Sequence, residues 1–319
     1  MRNAFEAPIV LALWSGSTSA FGLCPDFQGV TRQGRHRSFL LQSCTGFQFR
    51  WARKDDASSR DGRTTARMSS STDHRHPPAA KRNRAFISKE LCTWLEKDAG
   101  HNNVLEIASG TGCHAEAFAT SLPSWTFQPT EYDKIRIPDI VATIKEGGYT
   151  NIRPPVVLDV CSDPNTWPRP ASEEGKLWDA IISINMIHIA PKECTTGLLA
   201  GAAAGLKRGG HLFIYGPFAL NGLLEPDSNK VFHESLGARS RGQWGIRDAA
   251  WVADLADQFG LKLAAMTLMP ANNFFVVLRK VREPGDNSSS DERVARVAEI
   301  ISTVIMPTRE AFEKALVAR

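Results

Sequence analysis

Asn103-Val104-Leu105-Glu106-Ile107-Ala108-Ser109-Gly110-Thr111-Gly112 is the stretch that decides how this chain is read. Residues 103–108 form a short apolar strand carrying one acid. The strand ends in a glycine-rich turn, and residues 114–122 read as a helix. Glycines at such a turn let backbone approach a ligand closely, and the helix that follows presents free N–H groups. Gly110-x-Gly112-x-x-Ala115 satisfies the nucleotide-binding pattern G-x-G-x-x-G/A after a first strand. The pattern alone does not choose between cofactors.

Working outward, strands and helices alternate. Residues 87–95 carry Ile87, Leu91, Trp94 and Leu95 on one helical face. Residues 125–129 are a second strand, Pro138 opens a helix with Ile140, Val141 and Ile144, and residues 156–160 are a third strand. Residues 178–184 are continuously apolar, as a strand buried on both faces should be. An Ala-rich helix over 195–206, closed by Gly209-Gly210, leads to a fifth strand at 211–215. Residues 218–245 read as a long irregular insertion. Trp251, Val252, Leu255, Ala256 and Phe259 line a helix. The connection between the last two strands, 261–268 and 274–279, is too short for a crossover helix, so they pair antiparallel. The expected fold is α/β: a seven-stranded, mainly parallel sheet in the order 3-2-1-4-5-7-6 with helices on both faces, an architecture that resembles class I methyltransferases.

The acids choose the cofactor. Glu106 sits inside the strand, four residues before Gly110, where it would be idle beneath a pyrophosphate. Acidic surroundings favour the cationic sulfonium and amino groups of S-adenosyl-L-methionine, whereas pyrophosphate favours positive ones. Strand two ends at Thr130-Glu131-Tyr132-Asp133, where a carboxylate can accept both ribose hydroxyls; Glu131 is the first choice and Asp133 the second. Asp159, ending strand three, is placed to accept from the adenine amino group or to cap a helix. With Ala108, Ser109, Gly110, Gly112 and Asn185, these residues make the expected cofactor site. Asn185, Met186 and His188 follow strand four, where this kind of sheet meets its substrate. His188 is the candidate base, with Asn185 and Tyr215 beside it, or a histidine packed against backbone. Asn221, Asn229, Trp244, Arg247, Asn272 and Asn273, with Met186, are candidates for the acceptor pocket or for loop-holding roles. No metal site is expected, since the six cysteines fit no zinc pattern.

The chain resembles the DUF938 family, the group that includes methyltransferase-like 26. The resemblance rests on Ala79-Ala80-Lys81-Arg82-Asn83, the glycine loop with His114, Trp125-x-x-Gln128-Pro129 and Asn151-x-x-x-Pro155-x-x-x-Asp159. It continues through Ile184-Asn185-Met186-x-His188, Tyr215-Gly216-Pro217, Asn221-Gly222 and Ser228-Asn229. Trp244-Gly245-Ile246-Arg247-Asp248 and Met269-Pro270-Ala271-Asn272-Asn273 complete it, so it runs from 77 to 280. Glu131 departs from it, since the family usually shows Asp there. The resemblance implies S-adenosylmethionine binding and methyl transfer to a small molecule or an accessible side chain, and it implies no particular acceptor. A non-catalytic S-adenosylmethionine-binding protein and an NAD-dependent oxidoreductase are the rival readings. The second is disfavoured because no separate substrate domain follows the hairpin.

Three segments are expected: a leader over 1–75, the catalytic domain over 76–280, and a linker with an amphipathic helix over 281–319. Residues 1–76 hold eleven Lys/Arg against six Asp/Glu, whereas 77–280 hold twenty-one of each. The neutral core lacks the footprint of a non-specific nucleic-acid binder, so no nucleic-acid partner is expected. Residues 8–14 are a short apolar run, 15–20 are small, and 32–67 are rich in Arg and Ser, an order that resembles a signal-plus-transit leader. On that reading the protein is organellar, in a plastid or mitochondrion; if translation begins at Met68 it is cytoplasmic. No run approaches the ~20 apolar residues that span a bilayer. In the tail, Val294, Val297, Ile301 and Val304 recur at heptad-like spacing and Pro307 is expected to end their helix. That helix either docks on the same domain or meets a partner.

Overall fold

The computed structural model describes residues 75–95, 103–170, 177–283 and 290–317. The expected leader, but for Arg75, lies outside the described residues. Helix α1 (Pro78–Leu95) precedes β1 (Asn103–Ile107). Helix α2 (Cys113–Ser121) leads to β2 (Thr126–Glu131), and α3 (Ile137–Gly147) to β3 (Val156–Val157). Strand β4 (Trp178–Ile184), α4 (Lys192–Gly205) and β5 (Leu206–Gly216) follow. Next come β6 (Phe218–Ala219), α5 (Asp227–Ser240), β7 (Arg247–Asp248) and α6 (Ala249–Gln258). Strands β8 (Leu261–Met269) and β9 (Asn273–Lys280) precede α7 (Ser290–Ile300) and α8 (Met306–Val317).

Seven strands form one sheet in the order β3-β2-β1-β4-β5-β9-β8, which is 3-2-1-4-5-7-6 when only its own strands are counted. Strands β1 to β5 of this sheet pair in parallel, and β9 runs antiparallel to both neighbours. Alternation along each strand sorts side chains between two cores. Leu105, Ile181, Leu212, Ile214 and Val276 join one with α4, α6 and the C-terminal helices; Val104, Ile182, Phe213 and Tyr215 join the other with α1 and α2. Burial on both faces explains why β4 is apolar throughout.

Four expectations are corrected. Residues 218–245 are not irregular: α5 spans half of them, and β6 pairs with β7 in parallel. Only Asn229 and Leu236 of α5 are buried, so the helix has no apolar stripe to announce it. The Ala-rich helix ends at Gly205 without help from Gly209-Gly210, which lie in β5 where its register against β4 shifts. Strand three is only two residues long and exposed, because it is the sheet edge, while Leu158 and Val160 turn into the core. Pro307 does not end the tail helix. The turn at Ile301–Ile305 widens to π geometry and α8 continues beyond it. Proline has no N–H to return to the preceding turn, and widening accommodates the loss. The change of phase buries Ile300, Ile305 and Phe312 in the first core, with Ile301 and Val304 packed at its margin. The side chains of Val294 and Val297 lie outside the described residues.

The tail is also clamped by charge. Asp257, at the end of α6 and buried, accepts from Arg296 Nε at 3.0 Å and Nη2 at 3.1 Å, and pairs with Arg282 at 3.2 Å. Such a carboxylate is held by charge-assisted bonds from two directions.

Candidate functional site

The glycine turn is built over two carboxylates. Ala108, Gly110 and Gly112 all have positive φ, at 57°, 62° and 78°. A Cβ at Gly110 would meet no atom within 4 Å, so the space above it is open. The Gly110 N–H donates to Glu131 Oε2 at 2.8 Å, and Glu131 Oε1 accepts from Asp133 N at 3.1 Å. Ser109 N donates to Thr130 O, and Thr130 Oγ1 donates to Glu106 O, so the ends of β1 and β2 are tied together.

Glu106 is 1% exposed, and its Oε2 has no hydrogen-bond partner among the described residues. Burial pushes its pKa up to about 7, against a lowering hydrogen bond from Ser109 and with the Glu131 charge adding to the rise. The unfolded chain releases this proton near the ordinary carboxylate value. The folded protein therefore holds an extra proton between that value and about 7. The associated stability is complete at low pH and is lost as pH rises through about 7. Glu106→Gln cannot ionise. It is expected to melt higher than the parent at about pH 8 and to match it near pH 5, a difference of up to about 3 kcal/mol. Thermal melts across that range check this, and parallel pH curves for the two proteins contradict it.

At the ends of β4 and β5 a second group converges. Asn185 has φ 56°, and its N–H bonds Tyr215 O at 2.8 Å. A Cβ added to Gly216 would lie 3.2 Å from His188 Nδ1 and 3.7 Å from Asn185 Oδ1, so these polar atoms share one spot. His188 is 4% exposed, and its Nδ1 has no partner among the described residues. Its ring meets Phe232 of α5 edge-on at 5.7 Å, and its carbonyl accepts from Gly245 N at 3.0 Å. Burial first, then the Arg247 charge, pull its pKa down to about 4. His188 is therefore a neutral imidazole at ordinary pH. Met186 is buried beside it.

The N-terminal segment closes on the glycine turn and the helix after it. His76 is buried, with Nε2 donating to Glu116 Oε2 at 3.1 Å and Nδ1 2.8 Å from Thr111 Oγ1 in the glycine turn. Arg75 pairs with Glu146 at 2.7 Å. His114 donates from Nε2 to Asn83 Oδ1 at 2.9 Å, and its pKa falls to about 3 through burial and the charges of His76 and Arg84. Burial raises the pKa of the Tyr215 hydroxyl, and the nearby side chains of Asn83 and Asn273 pull it back down. Asn83 thus joins α1 to the glycine-loop helix. Sequence reasoning gave no role to His76, Asn83, His114 or Glu116. Asn83 and His114 stood in stretches that carry the family resemblance, which was the available signal. A chain begun at Met68 keeps this clasp and is expected to bind S-adenosylhomocysteine like the full chain. One begun at Pro78 loses Arg75 and His76, and should bind roughly tenfold more weakly. Equal affinity of the two truncated chains contradicts the clasp.

Other candidates have local duties. Asp133 Oδ1 accepts from Ile135 N and Asp159 Oδ1 from Cys161 N, so each caps its own turn. Buried Asn229 donates to Glu225 O, just ahead of its helix. Asn221 reaches the tail, with Nδ2 3.9 Å from Met306 Sδ and its carbonyl accepting from Arg309. Asn272 has φ 58° in the turn between β8 and β9, and Asn273 Nδ2 bonds Pro270 O in the same turn. Trp244 N donates to Ser240 Oγ, and Arg247 Nη2 donates to Ala190 O at 2.6 Å and Gln243 O at 3.2 Å.

The sheet order, the closing antiparallel hairpin and the glycine turn after β1 define a Rossmann-like class I methyltransferase fold. Solved structures agree. The S-adenosylmethionine-dependent methyltransferase SibL, in its apo form, is 17% identical with a TM-score of 0.50, over 62% of this chain and 55% of SibL. An O-methyltransferase family protein from Burkholderia thailandensis is 14% identical with a TM-score of 0.51, over 65% of this chain and 59% of that one. The alignments span little more than half of those proteins, and the likeness is one of fold. Residues 74–280 match the family described as a protein of unknown function, DUF938, and the chain belongs to that family.

Proposed function

We propose that this protein binds S-adenosyl-L-methionine at the carboxyl ends of β1 and β2 and transfers its methyl group to a small molecule or an accessible side chain. The pair of carboxylates beneath the glycine turn carries this reading. The Gly110 N–H that a pyrophosphate would need is already given to Glu131, and Glu106 waits below with an unpartnered oxygen. A dinucleotide phosphate would meet repulsion there, whereas a cationic cofactor meets its complement.

The residues present fit that cofactor. Glu131 oxygens each carry one backbone donor and keep lone pairs for the ribose hydroxyls. Glu106 supplies acceptor capacity for the amino group, and the open space above Gly110 admits close approach. Asp159 is exposed beyond β3, on the side where the adenine would lie. When bound, the cofactor supplies an electrophilic methyl group. The chain's part is to align the acceptor with it and to exclude water. Asn185 and His188 sit where that alignment happens, with Tyr215 beside them, and α5 and Trp244 closing the edge. His188, made a weak base by its lowered pKa, positions the acceptor by hydrogen bonding.

The test is incubation of the full chain with methyl-labelled S-adenosylmethionine and a metabolite extract of the source cells. A labelled product that disappears with Glu131→Ala supports methyl transfer. Cofactor binding without any labelled product favours a non-catalytic S-adenosylmethionine-binding role.

A further inference from the structure

Arg247 is 6% exposed, yet it forms no ion pair among the described residues; Glu193 acts on its charge only at longer range. Two carbonyls, of Ala190 and Gln243, take bonds from Nη2, while Nε is buried without a partner among the described residues. A desolvated guanidinium left unpaired is costly, and a protein that keeps one has a use for its charge. The neighbouring segment holds a second such atom, His188 Nδ1. The two segments lie side by side: Gly245 N bonds His188 O, and Arg247 bonds Ala190 O. On the His188 side this is the end of β4, where Nδ1 and Asn185 Oδ1 both approach Gly216.

We propose that Arg247 Nε and the His188 imidazole bind a carboxylate of the methyl acceptor. One positive charge and two donors match one carboxylate in charge and number, while a doubly charged phosphate would exceed both. This rests on the proposed methyl-transfer reading and specifies its substrate class. The neutral state of His188 fits, since Nδ1 then donates to an acceptor that is already ionised. If that carboxylate is itself the site of transfer, its oxygen bonds the methyl carbon as the carbon–sulfur pair passes to sulfur. A neutral methyl ester and a neutral thioether result, and no proton moves.

The experiment uses thermal melts of the full chain and of Arg247→Gln, without ligand and with benzoate, its neutral isostere benzamide, or inorganic phosphate. Calorimetric titration with S-adenosylhomocysteine runs in parallel. Ligand-free Arg247→Gln is expected to melt close to the parent temperature, since removing a buried charge offsets the loss of the two carbonyl bonds. Benzoate is expected to raise the parent melting temperature by roughly 3–5 °C at about ten times its dissociation constant, and to leave Arg247→Gln unmoved. Benzamide and phosphate should do less. A ligand-free variant that melts several degrees lower makes Arg247 a loop-holding residue and overturns the proposal. So does the lack of a benzoate effect, or an equal effect of benzamide or phosphate. Absent S-adenosylhomocysteine binding with an intact benzoate response would instead remove the methyl-transfer reading and leave the anion site standing.

Discussion

Glu131→Ala is expected to weaken S-adenosylhomocysteine binding by about two orders of magnitude, close to 3 kcal/mol. The carboxylate does two jobs at once. It accepts the Gly110 N–H at 2.8 Å and the Asp133 N–H at 3.1 Å, so its removal leaves the glycine turn without the acceptor that sets its shape. It is also the acceptor proposed for the ribose hydroxyls, and each hydrogen bond to a charged group is worth about 1.5–3 kcal/mol. Glu131→Gln keeps one acceptor oxygen and should lose only about tenfold. Calorimetry on the three proteins checks the order. An alanine variant that binds like the parent would show that Glu131 serves the loop alone.

His188→Ala is expected to leave S-adenosylhomocysteine affinity nearly intact while lowering turnover by roughly 10²-fold. The ring lies 4% exposed at the meeting of β4, β5 and α5, and the acids proposed to hold the cofactor lie on β1 and β2. The pH profile separates its possible roles. A general base with an ordinary histidine pKa imposes an acid limb near pH ~6.5. Burial and Arg247 hold His188 neutral down to about 4, so the rate should stay flat, on its account, through that region. Gly216→Ala should mimic the loss, because its methyl would enter the spot 3.2 Å from Nδ1. Turnover assays on the labelled acceptor, over pH, decide this. A limb near 6.5 that vanishes in His188→Ala would restore the general base.

Much of the fold was legible because it depends on period and punctuation. The apolar run of β4, the glycine turn after β1 and the short connection before β9 each state their geometry locally, and together they imply the strand order. Helix α5 was hidden because it buries only Asn229 and Leu236, so no periodic stripe marks it. The tail was misread because a π turn at Ile301–Ile305 resets the helical phase, which no heptad count anticipates. At the candidate site, Glu106 and Glu131 were singled out through position on their strands. His76 and Asn83 were not given roles, because their partners, Thr111, Glu116 and His114, are brought to them only by tertiary packing.

The central claim is that the acids beneath the glycine turn select a cationic cofactor. Calorimetric titration of the full chain with S-adenosylmethionine, S-adenosylhomocysteine and NADH tests it most directly. Micromolar binding of the first two, near −8 kcal/mol, with no detectable NADH heat is the predicted result. Tight NADH binding without a signal from either sulfur compound would contradict it.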